Sequence, residues 1–397
     1  MVKKIRQCRA CQSSLLLKIF DFNNLPLAGN FPKSKFEGDL FPLNLIKCQV
    51  CELIQTAESI PKTNIFKNYS YESRTSTHLV KHLNDLGDYI NSFSKKAKIL
   101  EIGSNDGILI QKLIKSGHKC LGVDPSDVSK KSAEINSWNL INDFFSNELA
   151  KKITKTHGKF NLVVSTNSFA HNDEIGSLAS GIEEILEKGG YLLIEVQNGT
   201  LTLKKNQFDT IYHEHTCYFT KTSISNLLAK YNFEIVSIND LEIHNGSIRV
   251  LAKKIKKDSY SKKFKKDEEV NNYTSSFINN VKLNKITLTN LLYKEIRNGK
   301  KVAAYGASGR ATILLNFYEL NKKTINYIVD NSELKIGKFI PNSDIEIKDK
   351  KILLEDPPDI ILITAWNYKK EIIEESRKKY NFKGSFIIPL PFVEIID

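Results

Sequence analysis

Four of the six cysteines stand as Cys8-x-x-Cys11 and Cys48-x-x-Cys51, and no other feature of the chain restricts its folding so tightly. Each CxxC turn presents two thiolates to one point, and two such turns complete a tetrahedral zinc shell with bonds of about 2.3 Å. A closed shell leaves no position for water, so the metal is expected to be structural. The alternative, disulfides, belongs to exported chains. The N-terminus, Met1-Val2-Lys3-Lys4-Ile5-Arg6, is basic with no apolar stretch behind it, and no run reaches the ~20 apolar residues of a membrane span. A cytoplasmic protein with no membrane partner is therefore expected. Cys120 lies in an apolar run and is expected in a core, while Cys217 sits in a polar motif without an assigned role.

Residues 1–70 read as the zinc-binding domain, made of short strands and turns, with Pro26, Pro32, Pro42 and Pro61 interrupting any helix. Leu79, Leu83, Leu86 and Ile90 recur at helical spacing and predict an amphipathic helix over 75–94. From Lys98 short apolar runs alternate with helical stretches: Ile99 to Ile102, Cys120 to Val123, Leu162 to Val164 and Tyr191 to Ile194. That alternation predicts a doubly wound, mostly parallel sheet, and 71–252 is taken as this domain. Residues 253–300 predict a Lys-rich helical bridge, with Phe277, Val281, Leu288, Leu291 and Leu292 as its apolar positions. A second alternating unit follows at 302–305, 325–329, 360–363 and 386–388. The expected class is thus α/β, with 253–397 holding the bridge and a smaller, C-terminal Rossmann-like domain.

The formal charge of +13 raises the question of nucleic acid. The basic residues are nearly all Lys, scattered in pairs along solvated helix faces, whereas planar recognition of phosphate and bases favours Arg. No nucleic-acid partner is expected. A mildly positive field still suits an anionic small molecule.

Glu101-Ile-Gly103-Ser-Asn105-Asp106-Gly107 closes the first strand of the sheet and opens a helix. Glycine there lets the backbone turn tightly and approach a ligand, and open α/β sheets bind ligands at the carboxyl ends of their strands. Asp124 ends the second strand, in Asp124-Pro125-Ser126, where a carboxylate can accept both ribose hydroxyls of an adenosyl group. The Gly-x-Gly-x-x-Gly of nicotinamide cofactors is absent. With the Lys188-Gly189-Gly190 turn, the set predicts a class I methyltransferase domain using S-adenosylmethionine.

The densest polar constellation is Tyr212-His213-Glu214-His215. In an extended segment Tyr212 and Glu214 would face one way and His213 and His215 the other. Such a cluster can supply a general base and an oxyanion donor.

With Tyr69-Ser-Tyr71, the 101–107 loop, Asn167-Ser-Phe-Ala-His171, Tyr212 to His215, His244-Asn245-Gly246-Ser-Ile-Arg249 and Tyr305-Gly306-Ala-Ser-Gly-Arg310, the sequence resembles the zinc-containing sugar C-methyltransferases. These act on thymidine-diphosphate-linked keto sugars, and the resemblance covers essentially the whole chain. It implies that His215 removes the proton beside the sugar ketone. Tyr212, Glu214, His171 and Tyr71 would line the sugar and steady the enolate. Asn167 would join Glu101, Gly103, Asn105, Asp106, Gly107, Asp124, Pro125 and Ser126 around the cofactor, and His244, Asn245, Arg249, Gly306 and Arg310 would face the nucleotide sugar. The chain departs from the family where Gly-Gly often follows the downstream His and where Lys-Gly often stands in place of Gly309-Arg310. The competing readings are methylation of oxygen or nitrogen on a sugar or RNA, and a non-catalytic binding protein. RNA base methylation would not call for the Tyr-His-Glu-His cluster. Oligomeric state is not legible.

Overall fold

The computed structural model describes residues 2–61, 72–256, 265–266 and 268–397. The N-terminal segment folds into strands β1 (Lys3–Lys4), β2 (Leu16–Pro26), β3 (Leu40–Cys48), β4 (Ile54–Thr56) and β5 (Glu58–Ser59). Two of these are longer than the prolines suggested, β2 with 11 residues and β3 with 9. Pro42 lies within β3 without breaking it, because β4 pairs with β3 only from Leu45 to Lys47 and Pro42 faces β2 beside a register irregularity. A proline's missing N–H is tolerated at such unpaired positions.

The middle segment contributes β6 (Lys98–Ile102), β7 (Lys119–Val123), β8 (Leu140–Ile141), β9 (Phe160–Thr166), β10 (Leu186–Gln197), β11 (Cys217–Tyr218), β12 (Phe233–Leu241) and β13 (Ser247–Lys254). Seven of them form one sheet in the order β12-β13-β10-β9-β6-β7-β8. The pairs from β10 to β8 are parallel, and β13 and β12 continue the sheet antiparallel. All four apolar runs are strands here, and Cys120 is buried in β7. The antiparallel extension escaped the reading because β12 interleaves apolar and polar residues and fully buries only Phe233. The amphipathic helix runs from Thr77 to Phe93, capped by the Ser76 side chain, with Leu79, Leu83, Leu86 and Ile90 buried.

β11 does not join this sheet. It leaves the methyltransferase segment and pairs antiparallel with β4, giving the order β11-β4-β3-β2. This is also where Cys217 lies, buried opposite Gln55.

The C-terminal sheet, β16-β15-β14-β17-β18-β19, comprises β14 (Val302–Tyr305), β15 (Ile328–Asp330), β16 (Ile347–Asp349), β17 (Ile360–Ile363), β18 (Ser385–Ile388) and β19 (Glu394–Ile396). β15 begins at Ile328, later than the apolar run that predicted it. The bridge is one helix of 30 residues, Glu268–Arg297.

The three segments do not keep separate cores. Phe20 and Phe22 of β2 meet Phe277 of the bridge, Phe317 of the C-terminal unit and Phe208 of the middle segment, with ring centroids 4.7–6.3 Å apart. A second cluster unites Cys8, Cys48 and Leu53 with Leu100, Phe169, Ile182 and Phe219. The N-terminal segment is too small to bury a large core alone, and it instead wedges apolar side chains into both neighbours. Among the described residues, no helix is long and apolar enough to cross a membrane.

Candidate active site

The sulfur atoms of Cys8, Cys11, Cys48 and Cys51 lie within 4.8 Å of one another. The Cys8–Cys51 and Cys11–Cys48 sulfurs are each 3.5 Å apart, close to the about 3.8 Å edge of a tetrahedron with zinc–sulfur bonds. Each turn closes by a backbone bond to its first cysteine, from Gln12 N–H to the Cys8 carbonyl and from Glu52 N–H to that of Cys48, at 3.0 and 3.1 Å. Gln12 and Glu52 take positive φ there, at 67° and 66°. The four thiols therefore fit a zinc ion as a closed shell.

The glycine loop lies at the carboxyl ends of β6 and β7. Gly103 has φ +78°, and a Cβ on it would come within 2.4 Å of the Ser168 Cβ. Gly107, at φ +73°, precedes the helix Ile108–Lys115 and would collide with the Trp138 ring. Both positions need glycine for conformation and for close approach. Asp124 Oδ2 accepts the Asn105 N–H at 2.9 Å, and its Oδ1 accepts the Ser126 N–H and hydroxyl at 2.8 and 2.6 Å. Pro125 sits between them, partly buried. Asp106 Oδ2 accepts from Arg74, while Asp106 Oδ1 and Glu101 Oε2 are buried with no partner among the described residues. Burial, with the Asp124 and Asp106 charges beside it, holds the Glu101 carboxyl well above its usual range. Three converging carboxyls, two with unpaired oxygens, fit a ligand that brings hydroxyl donors and positive charge, as S-adenosylmethionine does. Asn167, at φ +54°, follows β9 and donates its N–H to the Glu195 carbonyl.

The Tyr212–His215 segment is a turn, not an extended strand: His215 N–H bonds the Tyr212 carbonyl at 3.0 Å. The expected facing is corrected accordingly, because a tight turn brings its first and fourth residues together. Tyr212 Oη is 2.8 Å from His215 Nε2, and His171 packs edge-on against His215 with centroids 4.5 Å apart. Burial and the neighbouring His171, His244 and Arg310 push the His215 pKa well down, against a backbone bond to Thr210. His213 points away, with Nε2 3.2 and 3.3 Å from the Phe41 and Pro42 carbonyls of β3. Glu214 is buried against Ala28 and Gly29, whose backbone it engages, and burial raises its pKa to about 7. Its Oε2 has no partner among the described residues. Tyr71 lies outside the described residues.

Arg310 opens the helix Gly309–Phe317 beside Gly306, which has φ +103°. Asp209, fully buried, accepts from Arg310 Nε and Nη2 at 2.9 and 3.1 Å and from Trp366 Nε1 at 2.9 Å. Arg249 is likewise anchored, its Nε 2.6 Å from Glu195 Oε1, while Glu195 Oε2 meets His82 Nε2 at 2.7 Å. His244 and Asn245 occupy left-handed conformations before Gly246, and the exposed His244 neighbours both Arg310 and His82. Asp209, Glu195, His82 and Trp366 were passed over in the sequence. As single acids, a lone histidine and one tryptophan they carry no spacing signal, and only their partners distinguish them.

Three family models match: a zinc binding domain over residues 8–66, a methyltransferase domain over 71–238 and a C-methyltransferase C-terminal domain over 242–391. The C-methyltransferase NovU of Streptomyces niveus is 28% identical over 412 residues, covering 100% of this chain and 98% of the relative. Among solved structures, PH0226 of Pyrococcus horikoshii is 16% identical, covering 49% of this chain and 99% of that one, with a TM-score of 0.39. The 1,6-didemethyltoxoflavin-N1-methyltransferase of Burkholderia thailandensis, solved with S-adenosylhomocysteine, is 15% identical over 45% of this chain and 78% of its own, with a TM-score of 0.35. Those two likenesses are too loose to bear on the site. The matched domains and the end-to-end relative together give an S-adenosylmethionine-dependent methyltransferase with a zinc-binding N-terminal segment, similar along its whole length to the C-methyltransferase NovU.

Proposed function

We propose that the enzyme methylates the carbon next to the ketone of a nucleotide-linked keto-deoxysugar, through an enolate, with His215 as the base. The observation that carries this reading is the His215 arrangement: an imidazole backed by Tyr212 at 2.8 Å, flanked by His171, and partly exposed. A sugar C–H is too weakly acidic to react directly, but a neighbouring carbonyl spreads the developing charge onto oxygen. The depressed pKa keeps His215 neutral, so it can take the proton through the Tyr212 hydroxyl on its Nε2, which hands its own proton to the ring as it receives the substrate's, and a backbone bond to Thr210 helps fix the ring. Tyr212 stands beside that proton, and with His171 and Glu214 it lines the sugar; a protonated Glu214 can donate to the enolate oxygen. The second family tyrosine, Tyr71, is proposed for the same lining. The cofactor supplies the electrophilic methyl group. Glu101, Gly103, Asn105, Asp106, Gly107, Asp124, Pro125, Ser126 and Asn167 are proposed to hold it.

The substrate side is proposed for His244, Asn245, Arg249, Gly306 and Arg310, with a nucleoside diphosphate, thymidine or another, as the carrier. Arg249 and Arg310, each supported by a buried acid, suit an anionic diphosphate.

The test is solvent deuterium exchange at the carbon beside the ketone, with S-adenosylhomocysteine in place of the methyl donor. Exchange needs the base, carbonyl and oxyanion donor alone. His215→Asn should abolish exchange and methylation, by about 10²- to 10⁴-fold, while cofactor affinity holds. Full activity in that variant would exclude this base, and a methyl found on oxygen or nitrogen would exclude the enolate.

A further inference from the structure

Arg9 occupies the first cysteine turn, between Cys8 and Cys11, yet its guanidinium is buried and leaves the metal centre altogether. Nε and Nη2 reach Asp173 Oδ1 at 3.0 and 2.9 Å. Nη2 also donates to the Glu58 carbonyl at 2.9 Å, and Nη1 to that of Thr56. Asp173 lies two residues past His171, and its other oxygen accepts from the Ser59 hydroxyl. On the opposite side, Thr56 N–H donates to the Thr216 carbonyl at 3.1 Å, directly after His215. Thr216 closes the circuit, its N–H and hydroxyl both 3.1 Å from the Ala170 carbonyl, directly before His171.

The two segments that bring His171 and His215 into ring contact are thus bonded to each other and, through Arg9, to the cysteine turn. The strand pairing points the same way, since β11 follows His215 and is a strand of the N-terminal sheet. A buried guanidinium must be fully paired to be tolerated, and here each partner belongs to the circuit or to β5 beside it, apart from Gln55 next to Thr56. Surface anchoring would need none of this: the solvent-exposed Lys266 already tethers the second cysteine turn through the Gln49 carbonyl.

We propose that Arg9 is a positioning residue that fixes the His171 turn and the Tyr212–Thr216 loop against one another, so that the zinc centre sets the geometry of the reacting cleft. The inference rests on the proposed roles of His171 and His215. Because Arg9 touches neither imidazole, its loss acts on their placement. The glycine loop and Asp124 lie outside the circuit, so cofactor binding is spared.

The test uses the full-length zinc enzyme and three variants, Asp173→Asn, Arg9→Ala and Arg9→Lys, alone and combined with His171→Ala. Asp173 is partly exposed, so its amide is tolerated even where Arg9→Ala fails to fold. Expected results are one zinc retained, unchanged S-adenosylhomocysteine affinity, and kcat lowered about 10- to 100-fold by Asp173→Asn. Arg9→Lys, which keeps the charge but not the fork, should restore only part of the rate. In the His171→Ala background, Asp173→Asn should cost less than it does alone, because one of the two groups the circuit positions is gone. Full kcat in Asp173→Asn, or losses that multiply in the double variant, would overturn the inference while leaving the reading of the site standing. Unimpaired His171→Ala would overturn the role of His171 and, with it, this route of action.

Discussion

Arg310→Ala and Asp209→Ala remove opposite halves of one ion pair, and the structure predicts unequal costs. Asp209 is fully buried and bonded by Arg310 twice and Trp366 once, whereas the Arg310 side chain is 19% exposed and stacks over Trp366. Deleting Arg310 strands a carboxylate that cannot reach water. Losing a partner from a buried pair costs about 3–5 kcal/mol, and the remaining indole bond brings Arg310→Ala toward about 3–4 kcal/mol. Deleting Asp209 frees an arginine that can swing into the cleft and regain solvent, and leaves one indole N–H unpaired. That sum is about 2 kcal/mol, from charge-assisted bonds partly replaced by water. Asp209→Asn, which keeps an acceptor, should cost less again. The chain has two tryptophans, so in a Trp138→Phe background the fluorescence of Trp366 alone reports denaturant unfolding at this junction. A larger loss in Asp209→Ala than in Arg310→Ala would refute the burial argument. Losses below about 0.5 kcal/mol in both would show the pair behaving as a solvated surface bridge.

Three further outcomes follow from other parts of the molecule. Stripping the metal with a strong chelator should unfold the N-terminal segment and abolish activity together, since the four thiolates of the two cysteine turns converge on one point; metal-free protein with native melting and full activity would contradict this. Gly103→Ala combines a left-handed φ with a Cβ 2.4 Å from Ser168 and should cost more than about 2 kcal/mol and weaken the cofactor, whereas Gly117→Ala, at φ +88° in open space, should cost about 1 kcal/mol and leave binding alone. Calorimetry showing native cofactor affinity in Gly103→Ala would exclude the loop from that role. Glu214 holds its proton more tightly folded than unfolded, so its stabilisation is complete below pH 4.5 and is lost as pH rises to about 7, a swing of about 3 kcal/mol. Glu214→Gln should therefore gain melting temperature relative to the parent between pH 4.5 and pH 8, and parallel pH profiles would show that the carboxyl is not buried as described.

Much of the scaffold was legible because it depends on local rules. Two glycines at fixed places announce a turn, and Ile99 to Ile102 or Ile360 to Ile363 can only be buried strands. The edge strand β12 and the displaced start of β15 were missed, since edge strands lack a continuous apolar run and a run of apolar residues can begin before the pairing does. Tyr212 to His215 stood out as the densest polar cluster, but its internal geometry was misjudged: residue alternation presupposes an extended backbone, and the observed turn reverses which side chains meet.

What the sequence determined by itself is the set of local commitments: the cysteine shell, the left-handed glycines, the strand–helix alternation and the polar cluster from Tyr212 to His215. Tertiary structure alone decided the partnerships. Arg9 and Asp173 are 164 positions apart, Arg249 and Glu195 are 54, and Arg310 and Asp209 are 101. No spacing rule connects such pairs, because their meeting follows from which sheet β11 joins and how the N-terminal segment wedges between its neighbours. Periodicity tells a residue which face to bury; only the packing of distant faces tells a buried charge where its counter-charge will be.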